Sequence, residues 1–257
     1  MSLDLATDIG AELGDIAVAA ARLILPFWRT GIEVVAKADK SPVTEADRRA
    51  ERLILEGLEA RFPGVPVISE EDASEFGTPE RIGPRFFLVD PLDGTKAFVR
   101  GDSHFTVNIA LIEHGRPIAG AVVAPATSEL WRTSEAGVLK RHGDGPAVLV
   151  RARPWPEGEA LALVSHTMNT EAAEALAAKY GYHRSEAMDS SVKFCRIAEG
   201  VADIYPRQGP TMEWDTAAGH AVLAAAGGSV ETPDGSPFLY GKADKGFLNG
   251  WFVARGG

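Results

Sequence analysis

The sequence predicts a mixed fold of the α/β (α+β) class, and two observations carry that prediction. In the first half, amphipathic helical patterns stand beside short apolar runs and a candidate hairpin; in the second half, strand-like and helical runs alternate. Residues 141–158, which are rich in Gly, Pro and Arg, separate the two patterns. We therefore expect an N-terminal α+β half over residues 1–145 and a C-terminal α/β half over residues 146–257.

The N-terminal half contains two predicted helices and four predicted strands. Apolar residues at helical spacing predict a helix over residues 5–28. Thr44 and Asp47 form a capping-box pattern, which predicts a second helix that begins at Thr44. Strand-like runs cover residues 65–69, 85–90, 105–113 and 116–124. The last two runs are joined by His114-Gly115, which predicts a β-hairpin.

In the C-terminal half, strand-like and helical runs alternate along the sequence. Strand-like runs cover residues 160–165 and 202–205, and helical runs cover residues 171–180, 190–199 and 214–226. Gly227 and Gly228 follow the last run and predict its C-terminal cap.

Charge and cysteine content narrow the function classes. The formal net charge is -10 and the chain has no basic run, which argues against nucleic-acid polymers and anionic membranes as partners. A single cysteine, Cys195, rules out an internal disulfide, and no apolar stretch approaches the roughly 18 residues that span a bilayer. The N-terminus lacks the pattern of a signal peptide. We expect a soluble cytoplasmic protein, with peripheral association at the inner membrane left open.

Four short acidic sites lie at the ends of predicted elements: Asp47, Glu70-Glu71-Asp72, Asp90 with Asp93, and Asp215. Mg²⁺ prefers carboxylate, carbonyl and water oxygens, and bound cations allow an acidic protein to handle phosphate. Other interpretations stay open for three of these sites. Asp47 and Asp215 also fit helix caps, and residues 70–72 fit a solvated turn.

The segment from Asp90 to Thr95 is the most distinctive of these sites. Pro91 fixes a backbone angle after Asp90, and Gly94 permits a tight turn close to a ligand. Two carboxylates around such a turn can face one point together with the carbonyl of Leu92, and the Thr95 hydroxyl can meet a phosphate. These residues therefore predict a magnesium site that handles phosphate.

The same residues resemble the motifs of a known family. Asp90-Pro-Leu-Asp-Gly-Thr95 is similar to the first signature of the inositol monophosphatase superfamily, and Trp214-Asp-Thr-Ala-Ala-Gly219 is similar to the second. Ser69-Glu-Glu-Asp72 resembles the family's upstream metal-binding segment, and Asp47 stands where the family has a further acid behind the metal site. The resemblance implies a layered αβαβα sandwich of the sugar-phosphatase type.

Within the superfamily, the sequence is most similar to the bacterial 3'(2'),5'-bisphosphate nucleotidases. Lys96, which follows the Gly-Thr pair, is typical of that branch. Longer runs that match the branch are residues 40–47, 90–98, 105–111, 190–195 and 205–211. Residues 165–169, Ser-His-Thr-Met-Asn, depart from the Ser-Arg-Ser-His pattern expected there.

The resemblance implies a role for each candidate site residue. Two or three Mg²⁺ ions would be held by Glu70, Asp90, the Leu92 carbonyl, Asp93 and Asp215. Water would be activated by Asp47, Glu70 and Thr95. Substrate would be bound by Gly94, Thr95, Ser190, Ser191, Lys193 and Arg207. Lys193 and Arg207 also fit ordinary surface cations, His166 a loop histidine, His220 a helix histidine, and Cys195 a packed core thiol.

The implied reaction is hydrolysis of the 3'-phosphate of adenosine 3',5'-bisphosphate to AMP, with inositol monophosphate and histidinol phosphate as alternative substrates. Inhibition by Li⁺ and a homodimer are implied as well. Two other classes compete with this interpretation. A covalent aspartyl-phosphate phosphatase needs Asp-x-Asp, whereas two residues separate Asp90 from Asp93. A cation-binding protein without turnover would not need Asp47, Glu70 and Thr95.

Overall fold

The computed structural model describes residues 8–29, 34–36, 42–166 and 168–257, with the backbone alone described at 34–36 and 42–44. The predicted start of the opening helix, residues 5–7, lies outside the described residues, and so do Lys40, Ser41 and Thr167 of the quoted motifs. The capping side chain predicted at Thr44 also lies outside them.

The described residues contain seven α-helices: α1 (Ile9–Ile24), α2 (Glu45–Arg61), α3 (Glu70–Phe76), α4 (Thr95–Arg100), α5 (Thr170–Tyr180), α6 (Val192–Ala198) and α7 (Glu213–Ala225). All five predicted helices are confirmed. α1 ends four residues before the predicted boundary at residue 28, where Pro26 follows in a short 3₁₀ turn, and α2 begins at Glu45, one residue after Thr44. The sequence does not predict α3 and α4, because one or two turns are too short to show helical periodicity.

The described strands are β1 (Val34–Ala36), β2 (Pro42–Thr44), β3 (Val67–Ser69), β4 (Arg85–Asp93), β5 (Thr106–Glu113), β6 (Arg116–Ala124), β7 (Glu129–Ser134), β8 (Gly137–His142), β9 (Val148–Val150), β10 (Leu161–Val164), β11 (Arg184–Ala187), β12 (Ile204–Arg207), β13 (Ser229–Glu231) and β14 (Phe252–Arg255). The predicted run at residues 85–90 continues to Asp93. Strands such as β8 and β11 escape prediction because charged residues interrupt their apolar pattern.

Two large sheets organise the fold. The seven-stranded sheet runs from β3 to β9 in chain order; β3 and β4 are parallel, and the other neighbours are antiparallel. The five-stranded sheet has the order β11-β10-β12-β14-β13, with β10 parallel to β11 and β12. β14 is antiparallel to both of its neighbours, and β1 pairs with β2 separately.

Helices cover these sheets in layers. α1 and α2 pack on one face of the seven-stranded sheet, and α7, beside α6, packs on the other. One buried cluster joins the large sheet, α6, α7 and the five-stranded sheet, and it includes Phe86, Phe194, Trp214 and Phe252. A separate cluster around Leu176 of α5 covers the smaller sheet. This order of helix, sheet, helix, sheet and helix layers confirms the αβαβα prediction.

Small residues let α7 lie close to its neighbours. A Cβ added at Gly120 of β6 would lie 2.8 Å from Cβ of Ala221, and one added at Gly219 would lie 2.4 Å from Cδ2 of Phe194. The first contact brings α7 onto the large sheet, and the second brings it against α6. The run of alanine and glycine in α7 is thus a consequence of its central position.

The predicted hairpin is confirmed between β5 and β6. Its two turn residues, His114 and Gly115, have positive φ angles of 49° and 76°. Two consecutive left-handed residues are typical of the two-residue turn whose twist matches antiparallel strands.

The predicted division at residues 145 and 146 falls beside a strand pairing. β9, which follows that point, pairs with β8, so the large sheet extends to Val150. The two-half organisation stays a prediction. Within the described residues, no helix is both long and apolar enough to cross a bilayer.

Candidate active site

The end of β4 brings two acidic side chains to one pocket. Asp90 pairs with Asn108 of β5 and Asp93 pairs with Thr106, with a register shift between the two pairs. In a regular strand, residues three apart face opposite sides of the sheet, and an irregularity of this kind redirects one of them. Both Asp90 and Asp93 therefore line one pocket of about 360 Å³.

The last residues of β4 are held by a local hydrogen bond, and a glycine turn follows them. The backbone N–H of Leu92 donates to Oδ1 of Asp90 at 3.0 Å. Gly94 has a φ angle of 88°, and a Cβ there would lie 2.7 Å from the carbonyl oxygen of His104. Gly94 is therefore required both by its backbone conformation and by the close approach of the neighbouring chain.

Thr95 begins α4 with its hydroxyl between two acceptors. Oγ1 lies 3.0 Å from the carbonyl oxygen of Leu92 and 3.5 Å from Oδ1 of Asp47. Asp47 is buried on α2, which packs against β4. The hydroxyl proton can be donated to only one of these acceptors at a time, and the oxygen keeps lone pairs that can accept a hydrogen bond from another donor.

Asp93 is held by groups from two other elements. Its Oδ2 accepts hydrogen bonds from the backbone N–H of Ser191 at 2.6 Å, from Asn108 at 3.3 Å and from Thr106 at 3.4 Å. Burial raises the pKa of Asp93, while the nearby Lys193 ammonium lowers it. The long-range contact with Ser191 fixes α6 against the end of β4.

Asp215 reaches the same pocket from the first turn of α7. Its Oδ2 accepts a hydrogen bond from the backbone N–H of Met212 at 2.8 Å, so Asp215 is also a helix cap. Its carbonyl oxygen accepts a hydrogen bond from Oγ of Ser191 at 2.6 Å. Ser191 thereby connects the β4 segment to α7.

The electrostatics of the pocket favour a cation. Burial raises the pKa of Asp90 well above its usual value, and repulsion from Glu70, Asp93 and Asp215 adds to this. Burial likewise raises the pKa of Asp215, with Asp93 and Glu70 as further causes. Carboxylate oxygens together with the Leu92 carbonyl form a hard donor set that fits Mg²⁺.

The assignment of individual metal ligands stays a prediction. The pocket brings together Glu70, Asp90, Leu92, Asp93 and Asp215, the whole predicted ligand set. Within the described part of the chain, no three acidic, histidine or cysteine side chains already form a group that could hold an ion.

The substrate-binding candidates line the same pocket as the predicted metal ligands, with one exception. Ser190, Lys193 and Arg207 line the pocket, whereas Ser191 is buried behind it. Burial lowers the pKa of Lys193 to about 8, and its ammonium donates to the carbonyl oxygens of Met188 at 3.1 Å and Ser190 at 2.7 Å. Lys193 is thus not an ordinary surface cation.

The sequence analysis did not predict several residues that line the pocket. Arg100 and Asp189 line the pocket, and Nη2 of Arg100 lies 3.1 Å from Oδ2 of Asp189. His166 also lines it, with Nδ1 at 3.2 Å from Oδ1 of Asp189. His166 is therefore a loop histidine, as expected, which also lines the pocket because it lies in the turn after β10. The sequence feature that could have indicated its place in the pocket is that His166 lies in residues 165–169, which depart from the Ser-Arg-Ser-His pattern.

The ordinary interpretations of His220 and Cys195 are confirmed. His220 is buried on α7 with Nδ1 at 3.1 Å from the Tyr240 hydroxyl, and burial lowers the pKa of His220 to about 4. Cys195 is a buried free thiol in the core, and burial raises its pKa. Neither residue lines the pocket.

Comparison with known proteins decides the family. The sequence profile of the inositol monophosphatase family matches residues 8–250. The chain belongs to the inositol monophosphatase family. It is a phosphatase with the metal-dependent type of site that this family shares, and the covalent aspartyl-phosphate class is excluded.

Two kinds of relative support the family assignment. The 3'(2'),5'-bisphosphate nucleotidase CysQ of Escherichia coli (strain K12) is 44% identical over 223 residues, 86% of this chain and 88% of the relative. The CysQ protein of Buchnera aphidicola is 40% identical over 248 residues, 95% of this chain and 92% of the relative. The crystal structure of CysQ from Bacteroides thetaiotaomicron matches with a TM-score of 0.79 and 32% identity, covering 98% of this chain and 99% of that one.

Proposed function

We propose that this phosphatase hydrolyses the 3'-phosphate of adenosine 3',5'-bisphosphate to AMP and phosphate through attack by an activated water. The observation that carries the chemistry is the pair of acceptors around the Thr95 hydroxyl, beside the buried Asp90 carboxylate. We also propose that the protein acts in the cytoplasm as a homodimer.

The proposed metal site uses the acidic residues of the pocket. Glu70, Asp90, the Leu92 carbonyl, Asp93 and Asp215 would hold two or three Mg²⁺ ions. When bound, these ions would polarise the attacking water and stabilise the leaving oxygen.

The chain's own groups then handle the proton and the phosphate. Thr95 would donate a hydrogen bond to Asp47 and accept one from the attacking water, so that a proton of the water can pass through the Thr95 hydroxyl to Asp47 as the water attacks phosphorus. Glu70 would accept the other hydrogen bond of the water. The backbone N–H groups of Gly94 and Thr95 hold the phosphate at the start of α4. Asp47 is buried, so its carboxylate is shielded from bulk water while it accepts this hydrogen bond.

Substrate choice is supported by positive charge beside the acidic residues. Lys96, Arg100, Lys193 and Arg207 line the same pocket as the predicted metal ligands. A substrate with a second phosphate would meet these cations once its first phosphate is at the metals. An inositol ring with one phosphate offers hydroxyl groups there instead.

A side-by-side assay tests the proposal. Phosphate release with Mg²⁺ is measured for adenosine 3',5'-bisphosphate, inositol 1-phosphate and histidinol phosphate, with EDTA as the control. We expect kcat/KM for the bisphosphate to exceed both others by at least about tenfold, which is a difference of about 1.4 kcal/mol in transition-state binding. A tenfold preference for inositol 1-phosphate would overturn the substrate, and release unaffected by EDTA would overturn the metal chemistry.

A further inference from the structure

The N-terminus of α3 is capped by a side chain from another helix. Oε1 of Glu51 accepts hydrogen bonds from the backbone N–H groups of Glu71 at 3.0 Å and Asp72 at 3.3 Å. These are N–H groups of the first turn, which have no acceptor within the helix. The residue that would ordinarily cap them, Ser69, makes no side-chain capping bond. Glu51 of α2 takes that place.

The cap places the carboxylate of Glu51 in the protein interior, where a charge is costly in free energy. Glu51 is 6% exposed, and among the described residues no Lys or Arg forms an ion pair with it. A buried carboxylate is unfavourable unless polar contacts compensate for its burial, and the two backbone donors of α3 supply part of that compensation.

The position of Glu51 on α2 links it to the catalytic groups. It lies four residues after Asp47, so the two carboxylates share one face of the helix. Asp47 faces Thr95, and Glu51 faces the turn that begins with Glu70. One helix face therefore contacts both segments that carry the proposed water-activating residues.

We propose that Glu51 is a positioning residue, which holds the first turn of α3 so that Glu70 faces Asp90 across the pocket. The inference rests on the proposed function, since it assigns Glu70 to the metals and the water. Glu51 itself lies outside the pocket and touches no reacting atom.

The test compares Glu51→Ala, Glu51→Gln and Glu51→Asp. Glutamine keeps an oxygen at the same reach, alanine removes it, and aspartate keeps the charge but is one methylene too short. We expect Glu51→Ala and Glu51→Asp to lower kcat by about 10-fold or more and to raise the Mg²⁺ concentration for half-maximal activity, with little change in the substrate KM. Glu51→Gln should keep at least about half of the activity, because its carbonyl accepts both hydrogen bonds.

A matched control and a second readout separate positioning from folding. Glu56→Ala removes an exposed glutamate of the same helix and should leave kcat, the Mg²⁺ requirement and Tm unchanged. Hydrogen exchange of a peptide over residues 69–76 should speed up in Glu51→Asp but not in Glu51→Gln, whichever substrate the enzyme prefers. If Glu51→Ala does not fold, Glu51→Asp carries the test.

The proposal would be overturned by either of two results. One is a Glu51→Asp enzyme with the wild-type Mg²⁺ requirement and wild-type exchange. The other is a Glu51→Gln enzyme as impaired as Glu51→Asp. A wild-type protein that releases phosphate from no substrate would instead remove the proposed function, while the exchange result would still report on the cap.

Discussion

At the scale of single residues, the register shift between Asp90 and Asp93 decides the chemistry. It places two carboxylates that would otherwise face opposite sides of the sheet into one pocket. Burial, together with repulsion from Glu70, Asp93 and Asp215, raises the pKa of Asp90, and a bound cation would offset both effects. Function and stability therefore oppose each other at this position.

Asp90→Asn tests this opposition. Because burial and neighbouring carboxylates raise the pKa of Asp90, its charged form destabilises the fold at neutral pH, and asparagine removes that charge. In EDTA at pH 7 we expect Tm to rise by about 2–4 °C, while phosphate release with Mg²⁺ falls by at least about 100-fold. Added Mg²⁺ should raise the Tm of the wild type but hardly that of the variant.

The control for Asp90→Asn is Asp144→Asn, whose side chain is 95% exposed. It should leave both Tm and activity unchanged. An Asp90→Asn enzyme with wild-type phosphate release would contradict the metal site itself.

The residue scale also marks where sequence reasoning ends. Asp90 and Asp93 can be recognised from six neighbouring residues, because the chemistry of the turn is local. Asn108 and Ser191 donate hydrogen bonds to Asp93 from 15 and 98 residues away in the sequence. The residues next to them in the sequence do not predict these contacts. The convergence of Asp215 on the same pocket was predicted from family resemblance and not from spacing.

At the scale of elements, α6 and α7 pack closely because one position of α7 at their contact is a glycine. The position that allows this is Gly219, which faces the ring of Phe194. Since Asp215 lies one turn earlier on α7 and Lys193 lies beside Phe194 on α6, this contact also sets how far apart these two pocket residues lie.

Gly219→Ala is expected to destabilise the protein by about 1–3 kcal/mol, because a methyl group 2.4 Å from Cδ2 of Phe194 forces the helices apart. Urea unfolding measures this change. Gly158→Ala is the matched control, since a Cβ there meets nothing within 4 Å. Equal unfolding midpoints for the two variants would show that the helix contact can relax freely.

Elements were predicted well where the pattern is local and long. The β5–β6 hairpin and α1 follow directly from turn chemistry and apolar spacing. α4 was missed because its six residues are fixed by Gly94 and by packing against β2, not by their own periodicity. β9 was missed because its three residues lie in a segment rich in Gly, Pro and Arg and depend on β8 for their pairing.

At the scale of the whole molecule, a cluster of charges connects the large sheet to the central helix layer. Glu129 of β7 lies 2.8 Å from both Lys140 of β8 and Arg196 of α6. Although burial alone would raise the pKa of Glu129, hydrogen bonds from Arg196 and Lys140 lower it to about 2.

The pH dependence of this cluster follows from the direction of that shift. In the unfolded chain the Glu129 carboxyl has a pKa near 4.5, so its contribution is complete above that value and is lost as the pH falls toward about 2. We expect Glu129→Gln to lower the free energy of unfolding at pH 7 by about 2 kcal/mol. The difference from the wild type should shrink as the pH is lowered below about 4.5.

Urea unfolding at several pH values checks this dependence. Glu45→Gln, which alters an exposed pair within α2, should change stability little at any of them. A Glu129→Gln difference that grows on acidification would contradict the assigned direction of the pKa shift.

The residues that line the pocket belong to elements that differ in how firmly the rest of the fold holds them. This difference affects which parts of the site can change during evolution. Asp90 and Asp93 belong to a strand with partners on both sides, so a shift of that segment would disturb the whole seven-stranded sheet. His166 and Arg207 lie at the ends of short strands, beside loops that can change length without that cost. Related enzymes can therefore change their substrate specificity in the course of evolution while they keep the same hydrolytic reaction.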